Sequence, residues 1–296
     1  MPITIHTHPY TLSPILPSRP DLCAAYCQLA KAVYRRLDFE KWYQAGYWDD
    51  KYIPYVLFDG ELAVSSVAVC VNDVLWRGEH KTYAQLSTVM TLPEYRNRGL
   101  NRWLMEYVLD EWRDKCDAVY LLANDGVVGF YPKFGFEEFT EYDFTMPVRK
   151  TTGEYRRLDI NSSADLDLLT KMYAVSNPFT DLHVLNFSQF MFHCLHFVMD
   201  DICHVQQYNA VAIVRREGSR LICYDVYTDS GASLGEILGV LADEQTEYAY
   251  LGFTPKACEN CSAVASQEED NHLFVLAGKE NIFRDNRVMF PLLSRA

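Results

Sequence analysis

Residues 87–105 read Ser-Thr-Val-Met-Thr-Leu-Pro-Glu-Tyr-Arg-Asn-Arg-Gly-Leu-Asn-Arg-Trp-Leu-Met. An extended apolar run meets Pro93, passes through a basic loop that closes on Gly99, and enters a segment with Leu100, Trp103, Leu104, Tyr107 and Val108 at helical spacing. A strand that feeds a helix through such a loop leaves the unpaired N–H groups and the positive dipole end of that helix facing outward, which is a site for an anion. Gly99 lets the backbone come close to a ligand, and Arg96, Arg98 and Arg102 supply fixed charge suited to phosphate. The stretch has no Gly-Lys-Ser/Thr and no Gly-x-Gly-x-x-Gly, so it is neither a Walker loop nor a dinucleotide fingerprint.

The flanking sequence alternates strands and helices, as an α/β chain does. The spacing predicts a helix over 21–36 capped by Asp21, and strands at 52–58 and 62–71 joined by the hairpin signal Asp59-Gly60. It further predicts a strand at 83–91, a helix at 99–112, a strand at 118–123, a short helix from Val127 to Phe134 closed by Gly135, and a strand at 141–148. The polar segment 149–156 marks a domain boundary, giving 1–150 and 151–296. The second half repeats the order weakly: a hairpin at 210–214 and 221–228, a helix at 234–241, a strand at 248–253. A helix at 187–199 and strands at 274–276 and 288–293 are expected to complete it. The period points to duplication of a whole domain.

The loop Arg96-Asn-Arg-Gly99-Leu-Asn101 resembles motif A of the GNAT superfamily, the Gcn5-related N-acetyltransferases, which reads Arg/Gln-x-x-Gly-x-Gly/Ala after a strand and a proline. A second match follows downstream, with Asn124 at the end of the next strand and then Tyr131-Pro-Lys-Phe-Gly-Phe136. The resemblance implies an α/β mixed-sheet acyl-CoA N-acyltransferase fold, duplicated here with a degenerate second copy, and a site for acetyl-CoA as acyl donor with no metal. Carried over residue by residue, it implies that the amides of Arg98, Gly99, Leu100 and Asn101 hold the pyrophosphate beside Arg96. Val89 and Thr91 would bond the acetyl carbonyl and pantetheine arm, Asn124 would contact the pantetheine, and Tyr131 would protonate the departing thiolate. Asn101 stands where the family has a small residue, though its backbone N–H survives. The basic loop and the tandem arrangement are similar to the Eis-like branch, whose third, sterol-carrier-like domain has no counterpart in these residues. In the second half, Asp229-Ser-Gly-Ala-Ser-Leu-Gly235 offers no cation to a phosphate. That half is expected to shape the acceptor site.

The family's catalytic Glu falls at Gln85, which cannot accept a proton. Asp49, Asp59, Glu61, His80 and, by analogy with Eis-like enzymes, a carboxylate at Ala296 are the remaining candidates for the base. Trp42, Tyr43, Tyr47 and Trp48 could pack as core or line an acceptor pocket on which a cation rests. Cys258-Glu-Asn-Cys261 lacks two further ligands for zinc and reads as loop thiols. His193 and His196 lie among Phe192, Leu195, Phe197 and Val198, so their helix reads as core or pocket wall.

A net charge of −13 provides no global field for nucleic acid or an anionic membrane, and no apolar run reaches transmembrane length. The start lacks a signal-peptide pattern and the nine cysteines are scattered, so the expected setting is cytoplasmic. The reading is an N-acetyltransferase acting on a small-molecule or peptide amine, with a homo-oligomer left open. The rivals are a non-catalytic acyl-CoA sensor and the same fold with another acyl donor.

Overall fold

Asp59-Gly60 turns the chain as the sequence requires: 52–59 and 62–69 pair antiparallel, with Gly60 at φ 61°. The computed structural model describes residues 1–34, 37–256 and 260–296. Its strands are Pro2–Ile5 (β1), His8–Pro14 (β2), Tyr52–Asp59 (β3), Leu62–Trp76 (β4), Glu79–Thr91 (β5), Ala118–Ala123 (β6), Phe136–Phe139 (β7), Tyr142–Pro147 (β8), Arg156–Arg157 (β9) and Leu182–Leu185 (β10). They continue with Ile202–Val205 (β11), Ala210–Glu217 (β12), Arg220–Thr228 (β13), Tyr248–Leu251 (β14), Ser262–Ala265 (β15) and His272–Leu276 (β16). The α-helices are Pro20–Val33 (α1), Phe39–Gln44 (α2), Leu100–Trp112 (α3), Ser163–Val175 (α4), Phe187–His196 (α5) and Leu234–Leu241 (α6).

Two mixed sheets organise the described residues. The first runs β1-β2-β3-β4-β5-β6-β16-β7, with β10 paired to the far end of β4, and the second runs β15-β8-β14-β13-β12-β11-β9. Each contains one parallel pair joined through a helix: β5–α3–β6 in the first and β13–α6–β14 in the second. Each is entered by a hairpin, β4–β5 and β12–β13. This is the duplication that the sequence order implied.

The two units exchange strands. β8, expected to finish the first half, pairs with β14 and β15 in the second sheet. β16, expected in the second half, lies between β6 and β7 in the first. The boundary at 150 therefore does not coincide with where the sheets divide. Residues 288–293 form no strand; they run irregularly into a short turn at Leu292–Ser294. Asp21 is not the cap of α1: Pro20 opens that helix, as its fixed φ favours, and Asp21 sits in the first turn against Arg19. The expected helix at 127–134 is two 3₁₀ turns, Asp125–Val127 and Tyr131–Phe134. Gly135 closes the second at φ 85°, the left-handed stop that glycine allows.

One core lies under β3–β6 against α1 and α3, built on residues such as Tyr26, Leu57, Val69, Leu104 and Val108. A second packs α6 onto β12–β14. A third joins α4 and α5 to β11–β13. α5 also touches the first unit, where the Trp42 indole N–H donates to the Ser188 carbonyl at 2.9 Å.

Candidate active site: a donor slot and an acceptor cavity

The parallel pairing of β5 with β6 ends at Leu86 and Leu121, yet β5 continues to Thr91 and β6 to Ala123. Beyond that point the strands part and leave a slot. A bulge in β5 helps to open it: Ser66 and Ala68 on β4 face Met90 and Ser87, two steps on β4 against three on β5. Thr88 takes up the irregularity at φ 42°, and such bulges re-aim side chains beside active sites. Thr88 is held by its hydroxyl, which bonds the Tyr26 and Tyr52 hydroxyls at 2.8 and 2.9 Å.

The basic loop sits at the open end of the slot. Asn97 and Gly99 are both left-handed, at φ 61° and 75°, and curl the chain into α3. The first helical bond is Trp103 N–H to Gly99 O at 3.0 Å, so the amides before Trp103 precede the helix's own bonding. Arg96 and Arg98 are exposed. Arg98 lies over the Tyr95 ring at 4.5 Å and donates to the Glu94 carbonyl at 2.8 Å. Arg102 is engaged elsewhere, with Glu106 at 3.0 Å. A β-carbon on Gly99 would lie 3.1 Å from His6 Nε2, so the β1–β2 turn lies against this loop. The sequence shows no turn signal there, and that contact was missed.

The other residues expected on the donor side lie on β5, at the start of α3, just after β6 and in the 3₁₀ turn at Tyr131–Phe134. The Asn101 side chain turns inward: its Oδ1 accepts from Ser65 Oγ at 2.7 Å and Thr91 Oγ1 at 2.9 Å. This pins α3 to the β4–β5 pair and accounts for a residue larger than the family's. The Thr91 side chain is thereby committed inside. The Val89 carbonyl accepts from the Tyr34 hydroxyl at 3.3 Å. The Asn124 amide reaches Asp270 at 3.3 Å. Tyr131 is buried among Phe130, Phe136 and Phe274, and burial, then the nearby Tyr34, pushes its phenol well above the ordinary range.

On the other side of the bulge lies a cavity of about 180 Å³. Ser87 and Thr88 form its inner edge, and Phe39, Trp42, Tyr52 and Phe192 line it with Leu37 and Phe197. Of the aromatic cluster picked out in sequence, Trp42 reaches the cavity. Trp48 stacks behind it at 5.5 Å, and Tyr47 packs on Phe187. Gln189, His193 and the last residues, Arg295 and Ala296, complete the wall. Gln189 Nε2 donates to the Arg295 carbonyl at 2.9 Å, and His193 Nε2 is 2.8 Å from the same oxygen. Burial lowers the His193 pKa to about 4, leaving a neutral ring. The Arg295 guanidinium turns away to Glu141 and Glu268 at 3.1 and 3.2 Å.

Of the base candidates, Ala296 lines the cavity and the four side chains do not. Asp59 accepts from His8 and Tyr95, which hold its carboxyl below the usual range. Glu61, in the β3–β4 turn, and His80, at the start of β5, are exposed. Asp49 is bonded to the Lys51 amide at 3.0 Å. Cys258 and Glu259 lie outside the described residues, and Cys261, expected as a loop thiol, is disulfide-bonded.

The corresponding slot in the second sheet is closed. β13 and β14 part beyond Cys223 and Leu251, but residues 289–294 run through the gap. Leu292 N–H donates to the Gly252 carbonyl at 2.8 Å, and the Thr254 hydroxyl bonds both the Met289 N–H and carbonyl at 2.9 Å. What remains is a cavity of about 30 Å³ holding Asp225.

Comparison with known proteins agrees with this geometry. Residues 20–139 match the family described as acetyltransferase (GNAT) domain. That part of the chain is similar to a GNAT acetyltransferase domain, and the whole chain shares its two-sheet mixed α/β fold with the solved structures that follow. Among solved structures, a conserved protein from Enterococcus faecalis V583, given as a probable N-acyltransferase, matches with TM-score 0.59 at 12% identity, over 90% of this chain and 72% of its own. Eis1 from Mycobacterium abscessus gives TM-score 0.58 at 14% identity over 89% and 73%. A GCN5-related N-acetyltransferase from Kribbella flavida gives 0.52 at 15% over 90% and 70%.

Proposed function

We propose that this chain transfers the acetyl group of acetyl-CoA to a primary amine of a small molecule or peptide by direct attack in a ternary complex. The observation that carries this reading is the β5 bulge, which has the donor slot on one side and the 180 Å³ cavity on the other. The two reactants would meet across Thr88. The curled loop at Arg96–Gly99 and the start of α3 would receive the pyrophosphate, and Val89 would bond the thioester arm. The amine nitrogen bonds to the acetyl carbon, the C–S bond breaks, and the sulfur leaves as the thiol after taking a proton. Tyr131, a phenol that stays protonated at neutral pH, is suited to give that proton. His193 Nε2 donates to the Arg295 carbonyl and so holds the end of the wall; the proton that the amine sheds would go to a carboxylate at Ala296, which lines the cavity. The reading includes a cytoplasmic setting, with which seven free thiols among the described cysteines are compatible.

A thiol-release assay with acetyl-CoA and a panel of amines tests the proposal. Thiol release that depends on both substrates is expected. CoA binding with no release for any amine would make the chain a sensor instead, and release from a longer acyl-CoA alone would change the donor.

A further inference from the structure

We infer that the acceptor is a small primary amine carried on a single-ring apolar body, with one amino group rather than several. This rests on the acetyl-transfer reading above and goes further by naming the substrate class.

Size is the first argument. The cavity holds about 180 Å³, and an apolar cavity of roughly 150 Å³ accommodates benzene. One ring with a short alkyl arm fills it; an aminoglycoside or a folded peptide loop does not enter. Chemistry is the second. Phe39, Trp42, Tyr52 and Phe192 present ring surface, with Phe39 and Tyr52 stacked at 5.8 Å and Trp42 edge-on to both Tyr52 and Phe192. Among the described residues, no acidic side chain lines the cavity. Arg295, the one cationic side chain among the described lining residues, is held by Glu141 and Glu268. A polyamine would have to strip water from several ammonium groups with a single carboxylate, at Ala296, to meet them, and the unpaired ones cost more than the ring contacts return.

Desolvation also bears on the chemistry. An amine drawn into apolar surroundings loses its preference for the charged form, and the neutral amine is the nucleophile. Polar side chains come to the lining from Ser87 and Thr88 on the bulge and from Gln189 and His193 on α5. They place the amino group beside the donor slot and leave the ring toward Phe197, which is 47% exposed and marks the mouth. The nitrogen forms the C–N bond and gives up one proton, and the sulfur gains one, so the exchange balances with no further reactant.

The test uses the full chain with acetyl-CoA and four acceptors: phenethylamine, spermidine, kanamycin and a lysine-containing peptide. The expected result is a kcat/KM for phenethylamine at least tenfold above each of the others. Phe197→Ala, at a residue exposed enough to be truncated without unfolding the chain, should raise the KM for phenethylamine at least threefold and leave the Kd for CoA unchanged. A preference for spermidine, kanamycin or the peptide would overturn the substrate class while leaving acetyl transfer intact. An unchanged KM in Phe197→Ala would overturn the assignment of this cavity. No thiol release from any amine, with CoA still bound, would overturn the transfer reading and this inference with it.

Discussion

Gln85 and Ala296 exchange two hydrogen bonds: Gln85 Nε2 donates to the Ala296 carbonyl at 3.2 Å, and the Ala296 N–H donates back to Gln85 Oε1 at 3.0 Å. The residue at the position of the family's catalytic Glu thus serves as a clasp. Behind it the Tyr120 hydroxyl donates to Gln85 Oε1 at 3.3 Å, and Asn72 donates to Tyr120 at 3.2 Å. An amide gives and accepts at once, as the Ala296 backbone requires; a carboxylate could only accept.

Gln85→Ala should therefore free the end of the chain from the acceptor wall. The side chain makes three hydrogen bonds, two with Ala296 and one with Tyr120, at about 1 kcal/mol each, so a loss of about 3 kcal/mol in urea unfolding is expected. The KM for the amine should rise at least fivefold while the Kd for CoA stays put. A variant with wild-type amine kinetics would show that the clasp does not shape the acceptor site.

Donor binding is expected to hinge on Arg98 rather than on bulk at Gly99. Gly99→Val carries two structural penalties: a φ of 75° and a β-carbon 3.1 Å from His6 Nε2. It would report strain as well as phosphate contact. Arg98→Glu reverses a charge on an exposed side chain. Calorimetry should show CoA binding weakened at least tenfold with thermal stability within 2 °C of wild type, an order-of-magnitude allowance for surface changes. Equal affinity in the two proteins would remove Arg98 from the site.

Much of the donor side was legible because it is local. Strand, basic loop and helix are contiguous in sequence, and Gly99 and Gly135 carry their conformation in their identity, whereas the β5 bulge shows only in the register with β4. The duplicated hairpin–helix–strand order was legible for the same reason. The strand exchange was not: which sheet Phe136–Phe139, Tyr142–Pro147 and His272–Leu276 each join depends on pairings more than a hundred residues away. The acceptor wall was hidden likewise. Gln189 and His193 became recognisable only once the Arg295 carbonyl was seen between them. Residues 288–293 read as a strand because they are apolar, and they are apolar because they fill the second slot.

That plug fixes the expected stoichiometry. With residues 289–294 bonded to Gly252 and Thr254 and Asp225 lining what space remains, the second unit offers CoA neither room nor a cation. Calorimetric titration should give one CoA per chain, and crystals soaked with CoA should show it beside Asn101 and Asn124. A second ligand near Gly231–Gly235 would mean that the plug can leave.

Two buried groups should give the chain opposed responses to acid. Burial lowers His193 to about 4 from an ordinary 6.5, so its contribution to stability is present above pH 6.5 and lost as pH falls through 4. Burial raises Asp225 to about 6 from 3.8, so its contribution is present below pH 3.8 and lost as pH rises through 6. Each shift corresponds to at most about 3 kcal/mol. Urea unfolding at pH 7 and 4.5 should show His193→Gln losing less stability on acidification than wild type, and Asp225→Asn losing more. Parallel pH profiles for all three proteins would show that neither group is held as the geometry implies.

Tyr131 bears the most specific chemical expectation. Its ring is fixed by Phe130, Phe136 and Phe274, so the hydroxyl has a defined position. Burial and the neighbouring Tyr34 keep the phenol protonated, the state that a proton donor needs. Protonating a thiolate as it departs is worth about 10²–10⁴-fold in rate. Tyr131→Phe keeps the packing and deletes the donor, so the protein should fold and bind CoA as before while kcat falls at least about tenfold, or ~1.4 kcal/mol of barrier. The deficit should be larger for acetyl-CoA than for an acetyl ester of a thiophenol, whose thiolate leaves without help. That comparison separates an acid from a packed ring. If the Phe variant slows both donors equally, Tyr131 acts by holding the slot in shape. If it slows neither, the proton reaches sulfur by another route.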